Sequence, residues 1–205
     1  MLINDIKAII FDLDGVLIDM TNNHFLALNK ALGIIGYEID EKDHLNVFNG
    51  LPTSEKLKIM SKDNKLPTTL HKTINVLKQK YTKKYLSDRC FPEYEKLIML
   101  FTLKKLGYKL ACCSNAKKES VVIMLKQVLL FNYFDIIIGN DEGFIPKPSP
   151  DIYLECFKRL KLKPEECIIV EDAPHGIESA KKSGGKVIEV QGYKEVNLNL
   201  FKNII

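Results

Sequence analysis

Lys7-Ala8-Ile9-Ile10-Phe11-Asp12-Leu13-Asp14-Gly15-Val16-Leu17 is the stretch that decides the fold of this 205-residue chain. A short apolar, β-prone run bounded by a glycine predicts a buried strand. This strand ends in two carboxylates, and charge placed there calls for a cation. Gly15 lets the chain turn sharply after them. Two acids one residue apart can divide the work of one reaction, one attacking as a nucleophile while the other moves protons. The same pair would also serve merely to solvate a strand end.

Three later segments bear on that choice. Cys112-Cys113-Ser114-Asn115 follows the apolar run Tyr108 to Ala111, Pro146-Lys147-Pro148-Ser149-Pro150 follows a glycine-containing turn, and Ile168-Ile169-Val170 leads into Glu171-Asp172. Around them strands and helices alternate: helix 93–106, strand 109–113, helix 117–130, strand 135–138, helix 150–161, strand 167–171, helix 175–183 and strand 186–190. Such alternation predicts an α/β fold, a Rossmann-like parallel sheet covered by helices on both faces. Parallel sheets collect their sites at the carboxyl ends of strands, so the four polar segments can converge. Between Thr21 and Leu86 the pattern is helical, with Ala27, Leu28, Ala31, Leu32 and Ile35 at helical spacing, then Ile74, Leu77, Tyr81 and Tyr85. A helical block splitting an α/β pattern predicts an inserted α-helical cap over 19–90, with the core made of 1–18 and 91–205. A short strand or helix is expected at Leu198 to Ile205.

The order DxDGV, Ser-Asn, Lys-Pro, Glu-Asp resembles the haloacid dehalogenase superfamily of phosphohydrolases. It appears here as Asp12-Leu13-Asp14-Gly15-Val16, Ser114-Asn115, Lys147-Pro148 and Val170-Glu171-Asp172-Ala173-Pro174-His175-Gly176. Each motif is weak alone, and the order and spacing carry the match. Asp14, absent from the dehalogenase and phosphonate-cleaving branches, points to phosphate monoesters. The branch it looks most like holds β-phosphoglucomutase-like and sugar-phosphate phosphatase proteins, with a helical cap after the first motif.

The resemblance implies roles. Asp12 would attack phosphorus to give an aspartyl-phosphate. Asp14 would protonate the leaving alcohol, deprotonate water and lend its backbone carbonyl to a metal. Magnesium is the expected ion, held by Asp12 and Asp172, with Glu171 a ligand through water or a partner behind the ligands. Glu171-Asp172 would otherwise read as a helix cap. Ser114, Asn115 and Lys147 would bind phosphate; Ser114 is equally a simple N-cap, and Lys147 in a PxP turn is otherwise a solvated surface residue. For Ser114 and Asn115 the reading places them where strand gives way to helix, facing an anion at a positive helix end. Asp19, His24, the loop Asn49-Gly50-Leu51-Pro52-Thr53 and Lys80 are the cap positions expected to choose the substrate. His24, beside Phe25 and Leu28, is equally readable as a packed histidine, and His175 as a helix start.

Composition bounds the alternatives. The charged content of 27% and hydrophobic content of 46% are those of an ordinary globular protein. The net charge of +4 comes with only two arginines, Arg89 and Arg159, and lysines spread along helices, so no nucleic-acid partner is expected. Five cysteines without CxxC spacing read as buried filler, neither metal site nor disulfide. No signal segment or membrane span is read, and a cytoplasmic location is expected. The function expected is a magnesium-dependent phosphatase acting on a small phosphorylated metabolite, a sugar or polyol phosphate. The alternatives are a hexose-phosphate mutase, disfavoured by Thr53 where similar mutases carry a cap arginine, and a non-catalytic binding module. Oligomeric state is not legible.

Overall fold

A computed structural model describes residues 5–48, 51–63 and 66–204. In chain order they form β1 (Ala8–Phe11), α1 (Thr21–Gly33), a short α2 (Glu41–Asp43) continued by a π-helical turn at His44–Phe48, α3 (Thr53–Asp63), α4 (His71–Arg89) and α5 (Tyr94–Lys105). There follow β2 (Lys109–Cys113), α6 (Lys118–Gln127), β3 (Ile136–Ile138), α7 (Asp151–Leu160), β4 (Cys167–Glu171), α8 (Pro174–Ser183) and β5 (Lys186–Glu189). The chain divides into two compact units, Met1–Asp19 with Phe91–Ile205, and Met20–Cys90.

The first unit holds a parallel sheet of order β3-β2-β1-β4-β5. The chain leaves β1 toward β2 and β3 on one side and returns to build β4 and β5 on the other, so the order reverses at β1. Crevices at such a reversal are where open α/β sheets bind ligands. The central strands β1 and β4 are buried on both faces, which is why they read as unbroken apolar runs, while the edge strands β3 and β5 are only partly covered. On one face Ala8, Ile10, Ala111, Cys113, Cys167 and Ile169 pack with α7 through Ile152, Tyr153, Cys156, Phe157 and Leu160. On the other, Phe11 meets Phe134 and Phe201 edge-on, with ring centroids 6.3 and 6.0 Å apart. Phe201 belongs to a 3-10 helix at Leu198–Phe201, the form taken by the expected terminal element.

Helix α6 is shorter than its apolar pattern predicts. It stops at Gln127, and Leu129 turns the chain through a left-handed φ of 61° before a 3-10 helix at Phe131–Tyr133. All five cysteines are buried and free. No helix among the described residues is long and apolar enough to cross a membrane.

The second unit is helical around its own core, in which Leu28, Ala31 and Leu32 pack with Phe48, Leu57, Met60, Leu66 and Ile74. Asn29 ties down the chain beyond α1: its Oδ1 accepts from the Ile39 N–H at 2.9 Å and its Nδ2 donates to the Ile39 carbonyl at 2.8 Å.

Candidate active site

Sheet register assembles the site. Phe11 pairs with Cys112 on one side and Val170 on the other, so the next row along the sheet is Asp12, Cys113 and Glu171. Side chains alternate along strands, which places Asp12 and Glu171 on the face that packs under α7. An apolar face therefore ends in two acids. Asp12 is 9% exposed and Glu171 1%.

Lys147 closes this row. Its ammonium donates to Asp12 Oδ1 at 2.6 Å, to Glu171 Oε1 at 2.6 Å and to the Cys113 carbonyl at 2.9 Å. An ammonium has three protons, and each has an acceptor. Lys147 is 3% exposed, so the solvated surface lysine of the alternative reading is not what folds. Tyr153 completes the arrangement from α7. Its hydroxyl donates to the same Glu171 oxygen at 2.5 Å, and its ring centroid lies 4.9 Å from the Lys147 ammonium. Gly176 allows the close approach of α8, since a Cβ there would fall 2.2 Å from the Glu171 carboxylate.

Asp172 sits one residue beyond Glu171. Its Oδ1 is buried without a hydrogen-bond partner among the described residues. Gly15 lies against the same carboxylate: its φ is 81°, and a Cβ would fall 2.0 Å from Asp172 Oδ2. The backbone after β1 wraps the Leu13 carbonyl, which accepts from the N–H groups of Leu17 and Ile18 at 2.9 and 3.0 Å. Asp14, half-buried in that wrap, is close enough for its charge to act on Asp172. One ligand oxygen from each of Asp12, Glu171 and Asp172 lies within 4.8 Å of the others. Hard oxygen donors, a net negative cluster and an orphaned buried oxygen all fit a small divalent cation.

The protonation pattern has the same cause. Burial pushes the Asp12 carboxyl well above its ordinary value; Lys147 opposes the push, and Glu171 and Asp172 add to it. Burial alone would lower the Lys147 ammonium, but Asp12 and Glu171 outweigh it and hold the group above the usual lysine range. Burial, then the charges of Glu171 and Asp14, raise Asp172 from 3.8 to about 7.

For an acid raised on folding, the native state keeps a proton that the unfolded chain has already released, so stability falls as pH rises through the window between the two values. In metal-free protein the melting temperature is therefore expected to be lower at about pH 8 than at about pH 5, with the Asp172 share of the loss falling mainly below pH 7. Asp172→Asn should flatten part of this slope, and added magnesium should raise the wild-type melting temperature more at the higher pH. Differential scanning calorimetry reads all three. A slope unchanged by Asp172→Asn would refute the assignment.

Ser114 is buried, and its Oγ accepts from the Ala116 N–H at 3.1 Å. The helix that follows starts within one residue of its expected position. Helix α6 begins at Lys118, and the Lys118 N–H donates to Asp141 Oδ1 at 2.8 Å. A polar turn separates strand from helix, so the anion reading for this pair rests on the turn and not on a helix terminus. The Asn115 side chain faces the main chain of Lys147, with Oδ1 accepting from its N–H at 3.0 Å.

In the helical unit, His24 Nδ1 lies 3.2 Å from the Lys78 ammonium, a partner that the sequence did not single out. Lys78 is 8% exposed, whereas Lys80, two residues on, is exposed. Thr53 opens α3 and is half-buried. Asp19 is exposed, Asn49 and Gly50 lie outside the described residues, and His175 sits in the first turn of α8. Tyr153 is the other residue that the sequence reading passed over. Its place in the apolar pattern of α7 marks it as core, and nothing local marks its hydroxyl.

Comparison with known proteins follows the same lines. A family model described as haloacid dehalogenase-like hydrolase matches residues 9–190. A phosphoglycolate phosphatase of Aquifex aeolicus is 32% identical over 193 residues, 93% of this chain and 88% of that protein. A phosphorylated carbohydrates phosphatase of Thermotoga maritima is 28% identical over 181 residues, 87% of this chain and 82% of that protein. The solved structure of a β-phosphoglucomutase from Clostridium difficile superposes with a TM-score of 0.82 at 23% identity, covering 97% of this chain and 96% of that one.

Proposed function

We propose, starting from the fact that this chain belongs to the haloacid dehalogenase-like hydrolase family, that it is a magnesium-dependent phosphatase of small phosphorylated metabolites, sugar or polyol phosphates first among them. The observation that carries this reading is the row Asp12, Lys147, Glu171 beside Asp172, in which a buried carboxylate at a strand end is held by a fixed cation.

Asp12 is the nucleophile. Its carboxylate forms the new O–P bond as the ester O–P bond breaks, and Asp14 gives the departing alkoxide its proton. Asp14 then takes a proton from water as that water attacks phosphorus, releasing phosphate and restoring Asp12. Splitting one displacement into two in this way lowers each barrier. Lys147 holds one oxygen of Asp12 and neutralises charge beside the transferring group. The Ser114 hydroxyl and the N–H groups of the turn after β2 are the further phosphate contacts. Asp12, Asp172 and the Asp14 carbonyl would hold magnesium, with Glu171 behind them on Lys147 and Tyr153. The ion, when bound, supplies charge neutralisation for the phosphoryl oxygens. Substrate choice falls to the helical unit as a cap, with His24, Gly50, Thr53 and Lys80 as candidates and Lys78 added to them, and to Asp19, the last residue of the first unit before it.

Phosphate release across a panel of phosphorylated metabolites, with and without magnesium, tests the reading. EDTA should abolish release and magnesium restore it; full activity in EDTA would refute the metal assignment. The panel should include β-glucose 1-phosphate with a trace of the bisphosphate. Thr53 leaves the cap without the arginine fork that grips a second phosphate, so free phosphate or nothing is expected. Steady glucose 6-phosphate without phosphate release would make the protein a mutase.

A further inference from the structure

Lys147 lies in a stretch, residues 139–150, that holds neither helix nor strand. Flanking Pro146 and Pro148 stiffen that stretch but do not attach it to the sheet. Ser179 Oγ donates to the Ser149 carbonyl at 2.6 Å, and at Lys147 the main chain is attached through Asn115. Its Oδ1 accepts from the Lys147 N–H at 3.0 Å, and its Nδ2 makes a longer contact of 3.4 Å to the Lys147 carbonyl. A main-chain N–H only donates and a carbonyl only accepts, so Lys147 itself dictates which way the amide faces. Asn115 stands to Lys147 as a neighbouring strand would. Asn29 does the same for Ile39 in the helical unit.

Asn115 is in turn held to the sheet. Asn140 donates from Nδ2 to the Asn115 carbonyl and from its N–H to the Ala116 carbonyl, the latter at 2.9 Å. The Ser114 N–H donates to the Ile138 carbonyl at 3.1 Å. The ends of β2 and β3 thus fix the turn, and the turn fixes the lysine loop.

We propose that Asn115 is a positioning residue: its side-chain amide sets the main chain of Lys147 so that the ammonium enters the row of Asp12, Cys113 and Glu171, and that amide is not a ligand of the substrate phosphate. The proposal rests on the reading that Lys147 holds the nucleophile. Loss of the clamp lets the lysine loop shift while Ser114 and the turn after β2, tied to the end of β3, stay in place. Misplacement of about 1 Å at a reacting centre costs up to ~100-fold in rate, and the loss falls on kcat.

The test compares wild type with Asn115→Ala and with the near-isosteric Asn115→Asp, which keeps an acceptor for the Lys147 N–H but sets an oxygen against its carbonyl. With p-nitrophenyl phosphate as probe, kcat should fall ~10- to 100-fold in the alanine variant and less in the aspartate variant. KM and the inhibition constant for inorganic phosphate should stay within about threefold, the change expected when binding contacts are kept. Amide hydrogen exchange reads the clamp without substrate: the Lys147 N–H should exchange faster in Asn115→Ala, with protection retained in β1 and β4. Wild-type kcat in both variants, phosphate inhibition weakened ~10-fold at unchanged kcat, or unaltered Lys147 exchange would each overturn the proposal. A wild-type protein that releases no phosphate from any substrate defeats the phosphatase reading instead, and the exchange experiment still decides the role of Asn115.

Discussion

Asp12→Asn should lower phosphate release by ~10³-fold or more, the scale for loss of a covalent nucleophile, and leave the fold standing. The amide has nearly the volume of the carboxylate and still offers Lys147 an acceptor. What it lacks is the charge needed to attack phosphorus. The variant also removes one of three clustered carboxylates, Asp12, Glu171 and Asp172, so a mutual repulsion disappears together with the ion pair to Lys147. Thermal unfolding without metal should therefore stay within a few degrees of wild type, on the scale of about 1 kcal/mol for a domain of this size. Phosphate release and melting are to be measured on the same preparation. Near-wild-type activity would sink the covalent mechanism, and a collapsed fold would make Asp12 a structural acid.

Lys147→Met should damage stability and activity together. The ammonium is enclosed by Asp12, Glu171 and the Cys113 carbonyl, with Tyr153 along its side. Removing one partner of a buried ion pair leaves its charge uncompensated, at a cost of about 3–5 kcal/mol near neutral pH. The loss should shrink as pH falls, because protonation of Asp12, whose carboxyl burial already pushes up, removes part of the charge left behind. Lys147→Arg should not rescue, since a planar guanidinium needs room that a 3%-exposed site does not have. Urea unfolding at two pH values, with phosphate release alongside, reads both effects. A methionine variant as stable as wild type at neutral pH would show that Lys147 does not bind this row together.

These outcomes differ because sequence and tertiary structure contributed different things. Sequence alone determined the parallel α/β core, the inserted helical block and the motif residues, because apolar periodicity and punctuation by glycine, proline and acids are local properties that survive without a partner. Asp12, Ser114 and Asp172 each follow the end of an apolar run, and such runs are visible in one dimension. Tertiary structure decided what those residues touch. The common register of β1, β2 and β4 set Asp12, Cys113 and Glu171 in one row, and no local pattern encodes pairing between positions more than a hundred residues apart. It also ended α6 at Gln127, inside an apolar pattern that ran on. Tyr153 reads in sequence as one more apolar position of α7, and Asn115 as one more polar group near phosphate. Only packing turned the tyrosine hydroxyl onto Glu171 and the asparagine amide onto the main chain of Lys147, because hydrogen-bond partners are chosen by proximity in space once the backbone groups of a buried residue such as Lys147 must be satisfied.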